Sequence, residues 1–233
     1  MNKRRFALLG PMLLLVLALP RAHAGLVNDI PSCYAAGHFS FSSPPPSRLL
    51  YVLIDQAAPL SPALQTSVVD NINHALGPGT KFVIAEFSRA SNTHYLQVLH
   101  TGIIESPMTA DERNNVPVNA LGGFDSCMHD QALFAVHMAD TTAQHILQSA
   151  SGTLNQPNDI LMALKTIAPV IAQDPARQKV LFLVTNGFEN SGFAHFASGP
   201  FNPEQVLQQA RSEGLLTNFG GARVFVLGAG ITP

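Results

Sequence analysis

Two uninterrupted apolar runs, at residues 49–54 and 180–184, constrain the fold of this chain more than any other feature. A strand with one face in water alternates apolar and polar residues, whereas an unbroken apolar run suits a strand that is covered on both faces. Each run lies in a predicted strand, at 48–55 and 179–185, and each strand ends in a polar residue, Asp55 and Thr185. We therefore expect two central strands with helices on both sides of the sheet.

The remaining segments predict an alternation of strands and helices. Ser61 and Pro62 are typical of a helix start, and the polar turn at 89–92 is so short that the strands on either side of it must run antiparallel. With right-handed crossovers, the sequence predicts a doubly wound, mostly parallel α/β sheet of order 3-2-1-4-5 with strand 3 antiparallel. The predicted helices are 61–76, 124–150 (one or two helices), 158 or 159 to about 172, and 203–211; the other predicted strands are 81–88, 95–104 and 223–227.

The first 24 residues have the pattern of a secretory signal peptide. Lys3, Arg4 and Arg5 precede an apolar run at 6–19, and the small-residue pattern that ends at Ala24 follows. A membrane anchor is the alternative, but about 14 apolar residues fall short of the roughly 20 that cross a bilayer. We expect cleavage after Ala24, an irregular Pro- and Ser-rich lead-in at 25–47, one folded domain at 48–233, and a periplasmic or secreted protein without membrane insertion after cleavage.

The charge of the mature chain argues against nucleic acid as a partner. Residues 1–24 hold four of the 13 Lys and Arg, so cleavage leaves nine against 15 Asp and Glu, a formal charge of −6. Phosphate binding needs a basic surface, which such a chain does not provide. A protein in the cell envelope or outside the cell is the expected partner.

Cys33 and Cys127 are the two cysteines of the chain. In an oxidising compartment two such thiols usually pair, and closing a loop of about 95 residues would contribute roughly 4 to 5 kcal/mol on chain-entropy grounds. Two buried, unpaired thiols are the alternative.

The order of these elements, together with the residues at the strand ends, resembles the von Willebrand factor A domain over about residues 48–230. The resemblance implies a protein-binding module, which in this family commonly holds a divalent cation at an Asp-x-Ser-x-Ser loop, a threonine and a Thr-Asp-Gly turn. The segments that carry it are Tyr51-Val52-Leu53-Ile54-Asp55, Ala85-Glu86-Phe87-Ser88, Ser151-Gly152-Thr153, Leu183-Val184-Thr185-Asn186-Gly187 and Val224-Phe225-Val226-Leu227-Gly228.

The family's metal site is degenerate in this sequence. Asp55 and Thr153 match, but Ala57 and Pro59 replace the two serines and Asn186 replaces the aspartate of the turn. Mg²⁺ prefers six oxygen ligands in octahedral array, usually including carboxylates. We therefore expect no cofactor, with weak binding of Mg²⁺ or Ca²⁺ through Asp55 and Thr153 as the alternative.

Without a metal, the carboxyl ends of the central strands form a polar rim, the usual place for a ligand in open α/β sheets. An aromatic side chain among hydrogen-bonding groups is typical of a protein-recognition surface. The alternative for Phe188 and Phe193 is that they fold back into the core. The residues expected to bind a partner are Gln56, Thr153, Asn186, Phe188 and Glu189.

Enzyme functions find little support. The sequence lacks the Gly-x-Ser-x-Gly elbow, the phosphate-binding loop and the dinucleotide fingerprint after its strands. Asp55 and Glu86 could approach as a carboxylate pair for acid or base catalysis. A small-molecule hydrolase or solute-binding domain is a further alternative, although no nucleophile set accompanies it, and we expect a non-enzymatic module.

The predicted fifth strand ends close to Pro233, whereas the family continues with a further strand or helix. This leaves three alternatives: an exposed sheet edge at 223–227, a C-terminally shortened gene product, or cover supplied by a partner.

Overall fold

The computed structural model describes residues 28–88, 96–151, 157–196 and 200–231. Its five strands form one sheet in the predicted order, β3-β2-β1-β4-β5. β1 pairs in parallel with β2 and β4, β4 pairs in parallel with β5, and β3 runs antiparallel to β2. The α/β fold class and the strand order are therefore confirmed. The strands are β1 (Arg48–Asp55), β2 (Thr80–Phe87), β3 (Leu96–Ile104), β4 (Gln178–Val184) and β5 (Arg223–Leu227).

The helices agree with the predicted pattern in number and place, with two short additions. The helices are α1 (Cys33–Ala36), α2 (Pro62–Ala75), α3 (Ala110–Asn114), α4 (Val118–Ser149), α5 (Ile160–Gln173) and α6 (Pro203–Ser212). α4 is one continuous helix that begins six residues before its predicted start at 124, because Gly122 and Gly123 continue the helix rather than break it. α1 and α3 were not predicted.

The core has two layers, one on each face of the sheet. On one face, Val52 and Ile54 of β1 belong to a buried cluster with Ile72 of α2 and Ile146 of α4. On the other face, Leu53 belongs to a cluster with Ile167 of α5. Successive residues of a strand point to opposite faces, so the unbroken apolar run of β1 fills both layers.

A disulfide joins Cys33 to Cys127, as predicted, with an S–S distance of 2.04 Å. It ties α1 to α4, and the ring of Tyr34 packs edge-on against Phe124 with centroids 5.0 Å apart. The lead-in at 25–47 is therefore not irregular throughout. Ser32 caps α1, and the carboxylate of Glu105, which follows β3, accepts a hydrogen bond from the Cys33 amide at 2.8 Å.

The two edges of the sheet differ. Residues before α1 lie along β3, where the Asp29 amide donates to the Thr101 carbonyl at 2.9 Å. At the other edge, Phe225 of β5 is 46% exposed. Among the residues described, no helix combines the length and the apolar character that crossing a membrane requires.

Candidate functional site

Asp55, the last residue of β1, is the centre of a buried hydrogen-bond network at the carboxyl ends of the strands. The residue is 1% exposed. Oδ2 accepts hydrogen bonds from the Thr185 hydroxyl and from Nδ2 of Asn158, both at 2.7 Å. Oδ1 accepts a bond from the Ala57 amide at 2.8 Å. The carboxylate therefore joins β1 to the end of β4 and to the segment that leads into α5.

The environment of Asp55 is that of an internal acceptor. Burial raises the pKa of Asp55 above its ordinary value, while the hydrogen bonds from Thr185, Asn158 and Ala57 oppose that rise. Every one of these partners donates an N–H or O–H, an arrangement that satisfies a carboxylate without a cation. Asp55 thus holds the strand ends together from inside.

These residues do not fit the divalent cation that the sequence resemblance implies. The oxygens of Asp55 face hydrogen-bond donors, and Ala57 and Pro59 offer no side-chain oxygen. Oδ1 of Asn186 accepts the Phe188 amide at 3.0 Å. Thr153 lies outside the described residues. Within the described part of the chain, no three His, Cys, Asp or Glu side chains are grouped so that they could hold a metal ion.

Thr185 and Asn158 extend the network into the loop that follows β4. The Thr185 hydroxyl, which donates to Asp55, also accepts the Gly187 amide at 3.1 Å. Asn158 exchanges two backbone hydrogen bonds with Asn190, each 2.8 Å long. The start of the loop is therefore attached to the same carboxylate that joins the strands.

Gln56 lies beside β2 rather than beside β4. Its Nε2 donates to Oε2 of Glu86 at 2.6 Å, and its carbonyl accepts the Ser151 amide at 3.0 Å. Glu86 pairs in register with Ile54, the neighbour of Asp55, so the pleat sends the Glu86 and Asp55 side chains to opposite faces. The carboxylate pair considered for acid or base catalysis does not form. Burial raises the pKa of Glu86, and the hydrogen bond from Gln56 and the charge of His145 oppose this rise.

Glu189 is buried at the amino end of α5. The residue is 2% exposed, and Oε2 accepts a hydrogen bond from the Leu161 amide at 3.1 Å. Burial raises the pKa of Glu189 to about 7; hydrogen bonds from Ser191 and the backbone oppose the rise, and the charge of Asp159 adds to it. Its own carbonyl accepts the Phe196 amide at 3.0 Å. Glu189 therefore anchors the loop to a helix instead of facing solvent.

The loop from β4 to α6 carries the aromatic side chains of the rim. Phe188, Phe193 and Phe196 are each partly exposed, and Phe201 is 51% exposed. The rings of Phe196 and Phe201 stack with centroids 4.6 Å apart. Phe188 and Phe193 are thus partly exposed and are not buried in the core. We name these four phenylalanines together the aromatic rim.

The structure divides the predicted site residues into two groups. Asn186 and Glu189 are buried and bonded within the chain, whereas Gln56 and Phe188 keep partial exposure. Sequence reasoning missed Asn158 as a partner of Asp55, because it placed Asn158 only as a possible helix cap. Asp159 takes that role and accepts the Met162 amide at 3.0 Å.

No protein-family model matches this chain, and no curated protein matches it closely. The function must therefore be inferred from the geometry of the site.

Proposed function

We propose that this chain is an exported, non-enzymatic protein-binding module of the von Willebrand factor A type, which docks a protein of the cell envelope or the exterior through its aromatic rim. The observation that carries the proposal is the contrast at the ends of β1 and β4. Asp55 accepts hydrogen bonds from Thr185 and Asn158 beneath the surface, while four phenylalanines of the next loop keep exposed area.

The family assignment is supported by the agreement between topology and sequence motifs. A sheet of order β3-β2-β1-β4-β5 places the Asp that ends β1 beside the Thr that follows β4. These are the strand ends at which the family presents its ligand site. In this chain Asp55 accepts hydrogen bonds from Thr185 and Asn158 directly, which supports a site that is held by protein donors.

The contact residues follow from exposure. Phe188 and Phe201 offer apolar area with few rotatable bonds, a property that makes aromatic residues effective binding anchors. Asn186 and Glu189 position the loop from below, because their side chains bond to the Phe188 and Leu161 amides. Gln56, which is partly exposed directly after β1, is assigned to the contact surface as part of the proposal. Thr153 is assigned to it from the sequence alone.

A binding role agrees better with the chemistry of the site than catalysis does. Asp55 has no exposed oxygen to offer a substrate, and Glu86 points to the other face of the sheet. The hydrolase alternative would need a nucleophile at the strand ends. The Thr185 hydroxyl, the nearest candidate, is 1% exposed at the residue level and already donates to Asp55.

Export is supported by two features that agree. The disulfide between Cys33 and Cys127 is compatible with an oxidising compartment. The sequence at 1–24, which lies outside the described residues, has the pattern of a cleaved signal. A periplasmic or secreted location follows as part of the proposal.

The test compares partner recovery from envelope extracts by three forms of the protein. Phe188→Ser with Phe201→Ser, the rim variant, removes two of the four side chains of the aromatic rim. Phe134→Ser removes an aromatic side chain of α4 that is 48% exposed and distant in sequence. We expect the wild type and Phe134→Ser to recover the same protein and the rim variant to lose it. The thermal unfolding of both variants should match that of the wild type, which shows that they are folded. The same experiment in EDTA separates this proposal from the metal-dependent alternative. The proposal expects the partner still to be recovered, whereas the alternative requires that its recovery is lost. Equal recovery by all three forms would refute the proposal.

A further inference from the structure

A second candidate surface lies between α2 and the β4–β5 edge of the sheet. A groove of about 530 Å³ opens there, with His74 and Ala75 of α2 along one side. From β4 and β5 the groove is lined by the apolar Val180, Phe182, Phe225 and Leu227, and Gln178 at the start of β4 adds a polar side chain.

The strand register explains why these side chains share one face. Phe182 pairs with Phe225, and Val180 and Leu227 lie two positions away on their strands, so all four point to the α2 side. The rings of Phe182 and Phe225 pack edge to face with centroids 5.6 Å apart. In the described part of the chain, α4 packs across β1, β2 and β3 on this face. The apolar side chains of β4 and β5 on this face therefore line the groove.

The groove has a positive end. Arg48 and Arg223 are the first residues of β1 and β5, and both line the groove at the amino ends of the strands. Nη2 of Arg48 donates to the Pro78 carbonyl at 3.1 Å, and neither arginine forms an ion pair with a described residue. No Asp or Glu is among the described residues that line the groove.

Length and charge together define what fits. The seven residues of β4 span about 23 Å at roughly 3.3 Å per residue, a length that a helix of about 15 residues covers at 1.5 Å per residue. The carboxyl end of a helix carries partial negative charge. We propose that the groove binds an amphipathic helix of a partner protein, antiparallel to β4, with acidic side chains in its last turn facing Arg48 and Arg223.

A second copy of this chain fits less well. A symmetric contact places the same surface on both sides, and this surface offers two arginines and no lining carboxylate to complement them. The proposal goes beyond the proposed function, because the aromatic rim lies at the carboxyl ends of the strands and the positive end of the groove lies at their amino ends. Either surface can fail its test without the other.

The test uses a fluorescein-labelled helical peptide of 15 residues, with leucines at every third or fourth position and three glutamates in its last turn. A matched peptide carries three lysines there instead. Fluorescence anisotropy with the purified full chain should show binding of the glutamate peptide that weakens in 0.5 M salt and is tighter than binding of the lysine peptide.

Charge reversal provides the decisive variant. Arg223→Glu should weaken the glutamate peptide about tenfold and tighten the lysine peptide. Arg211→Glu, the same change at an exposed position on α6, should alter neither by more than about twofold. Phe225→Ser should weaken the binding of both peptides because it removes one of the apolar side chains that line the groove. Circular dichroism confirms that each variant is folded.

Three results would overturn the proposal. The first is equal affinity for the two peptides, and the second is an Arg223→Glu variant that does not invert the preference. The third is a dimer in sedimentation analysis that Phe225→Ser dissociates and the glutamate peptide does not, which would assign the surface to a second copy.

Discussion

The hydroxyl of Thr185 donates to Oδ2 of Asp55 across 2.7 Å, although 130 residues of sequence separate the two. This bond joins the ends of β1 and β4 inside the protein, where the two side chains are each 1% exposed at the residue level. Removing the donor from a buried acceptor costs more free energy than removing it from an exposed acceptor, because water cannot reach the buried acceptor to replace the donor. The bond should therefore matter for both stability and loop position.

Thr185→Val removes this donor and the acceptor of the Gly187 amide. We expect the free energy of unfolding to fall by about 1 to 3 kcal/mol, measured by urea denaturation. Thr166→Val, at an exposed position of α5, is the matched control and should change it little. In an Asp55→Ala background the Thr185 substitution should cost less, because the partner is already absent. Equal costs in both backgrounds would contradict the coupling.

The raised pKa of Glu189 predicts that the stability of the protein depends on pH. Its folded-state pKa of about 7 lies above the ordinary value of 4.5, so the folded protein holds the proton more tightly than the unfolded chain does. The free energy of unfolding should therefore fall as the pH rises from 4.5 to about 7, and level off above that. A tenfold change in a protonation equilibrium is worth about 1.4 kcal/mol. Allowing for solvent screening, we expect a fall of about 1 to 3 kcal/mol.

Urea denaturation at several pH values checks this expectation in three forms of the protein. Glu189→Gln should lose the part of the slope that Glu189 contributes, because glutamine does not titrate. Glu204→Gln, in the exposed first turn of α6, should keep the slope of the wild type. Identical slopes in the wild type and Glu189→Gln would show that Glu189 does not titrate in this interval.

Two glycines should respond in opposite directions to alanine. A Cβ on Gly102 would lie 2.5 Å from two ring atoms of the buried Phe82 and 2.7 Å from Ile30, whereas one on Gly122 of α4 meets nothing within 4 Å. Gly102→Ala should lower the free energy of unfolding by about 1 to 3 kcal/mol through overpacking. Gly122→Ala should raise it by about 0.5 to 1 kcal/mol, because alanine favours the helix. Thermal unfolding of both variants tests the pair, and a stabilised Gly102→Ala would contradict this packing.

The disulfide should contribute a large share of the stability. Its cysteines lie 94 residues apart, and removal of such a bond typically costs about 2 to 5 kcal/mol. We expect a reducing agent to lower the midpoint of urea unfolding. The double variant Cys33→Ser with Cys127→Ser should start from the lower midpoint and be insensitive to the reducing agent. A reductant effect of equal size in the double variant would show that the bond is not its cause.

The sheet could be predicted from the sequence because its determinants are local. The apolar runs of β1 and β4 indicate burial on both faces, and the short link before β3 requires an antiparallel pair. Right-handed crossovers then leave few strand orders. β5 was predicted with the same bounds that the structure shows, Arg223–Leu227.

The parts that could not be predicted depend on contacts between distant residues. α1 has only four residues, and it is stabilised by a disulfide to α4 and by Glu105, neither of which a local pattern reveals. The partner of Asp55 is a similar case, because Asn158 lies 103 residues away. Sequence placed the correct polar residues at the strand ends, but only the packed structure shows which of them face each other and which face water.

The bond between Cys33 and Cys127 also determines whether a proteolytic cut before β1 separates the chain into two pieces. The stretch between α1 and β1 includes the exposed Pro44 and Pro45, and a cut there would sever the backbone without separating the pieces. The amino-terminal fragment would stay attached through sulfur, so the nicked protein would migrate as one band on a gel until a thiol is added. Cleavage of this segment alone would thus leave its aromatic packing against α4 in place.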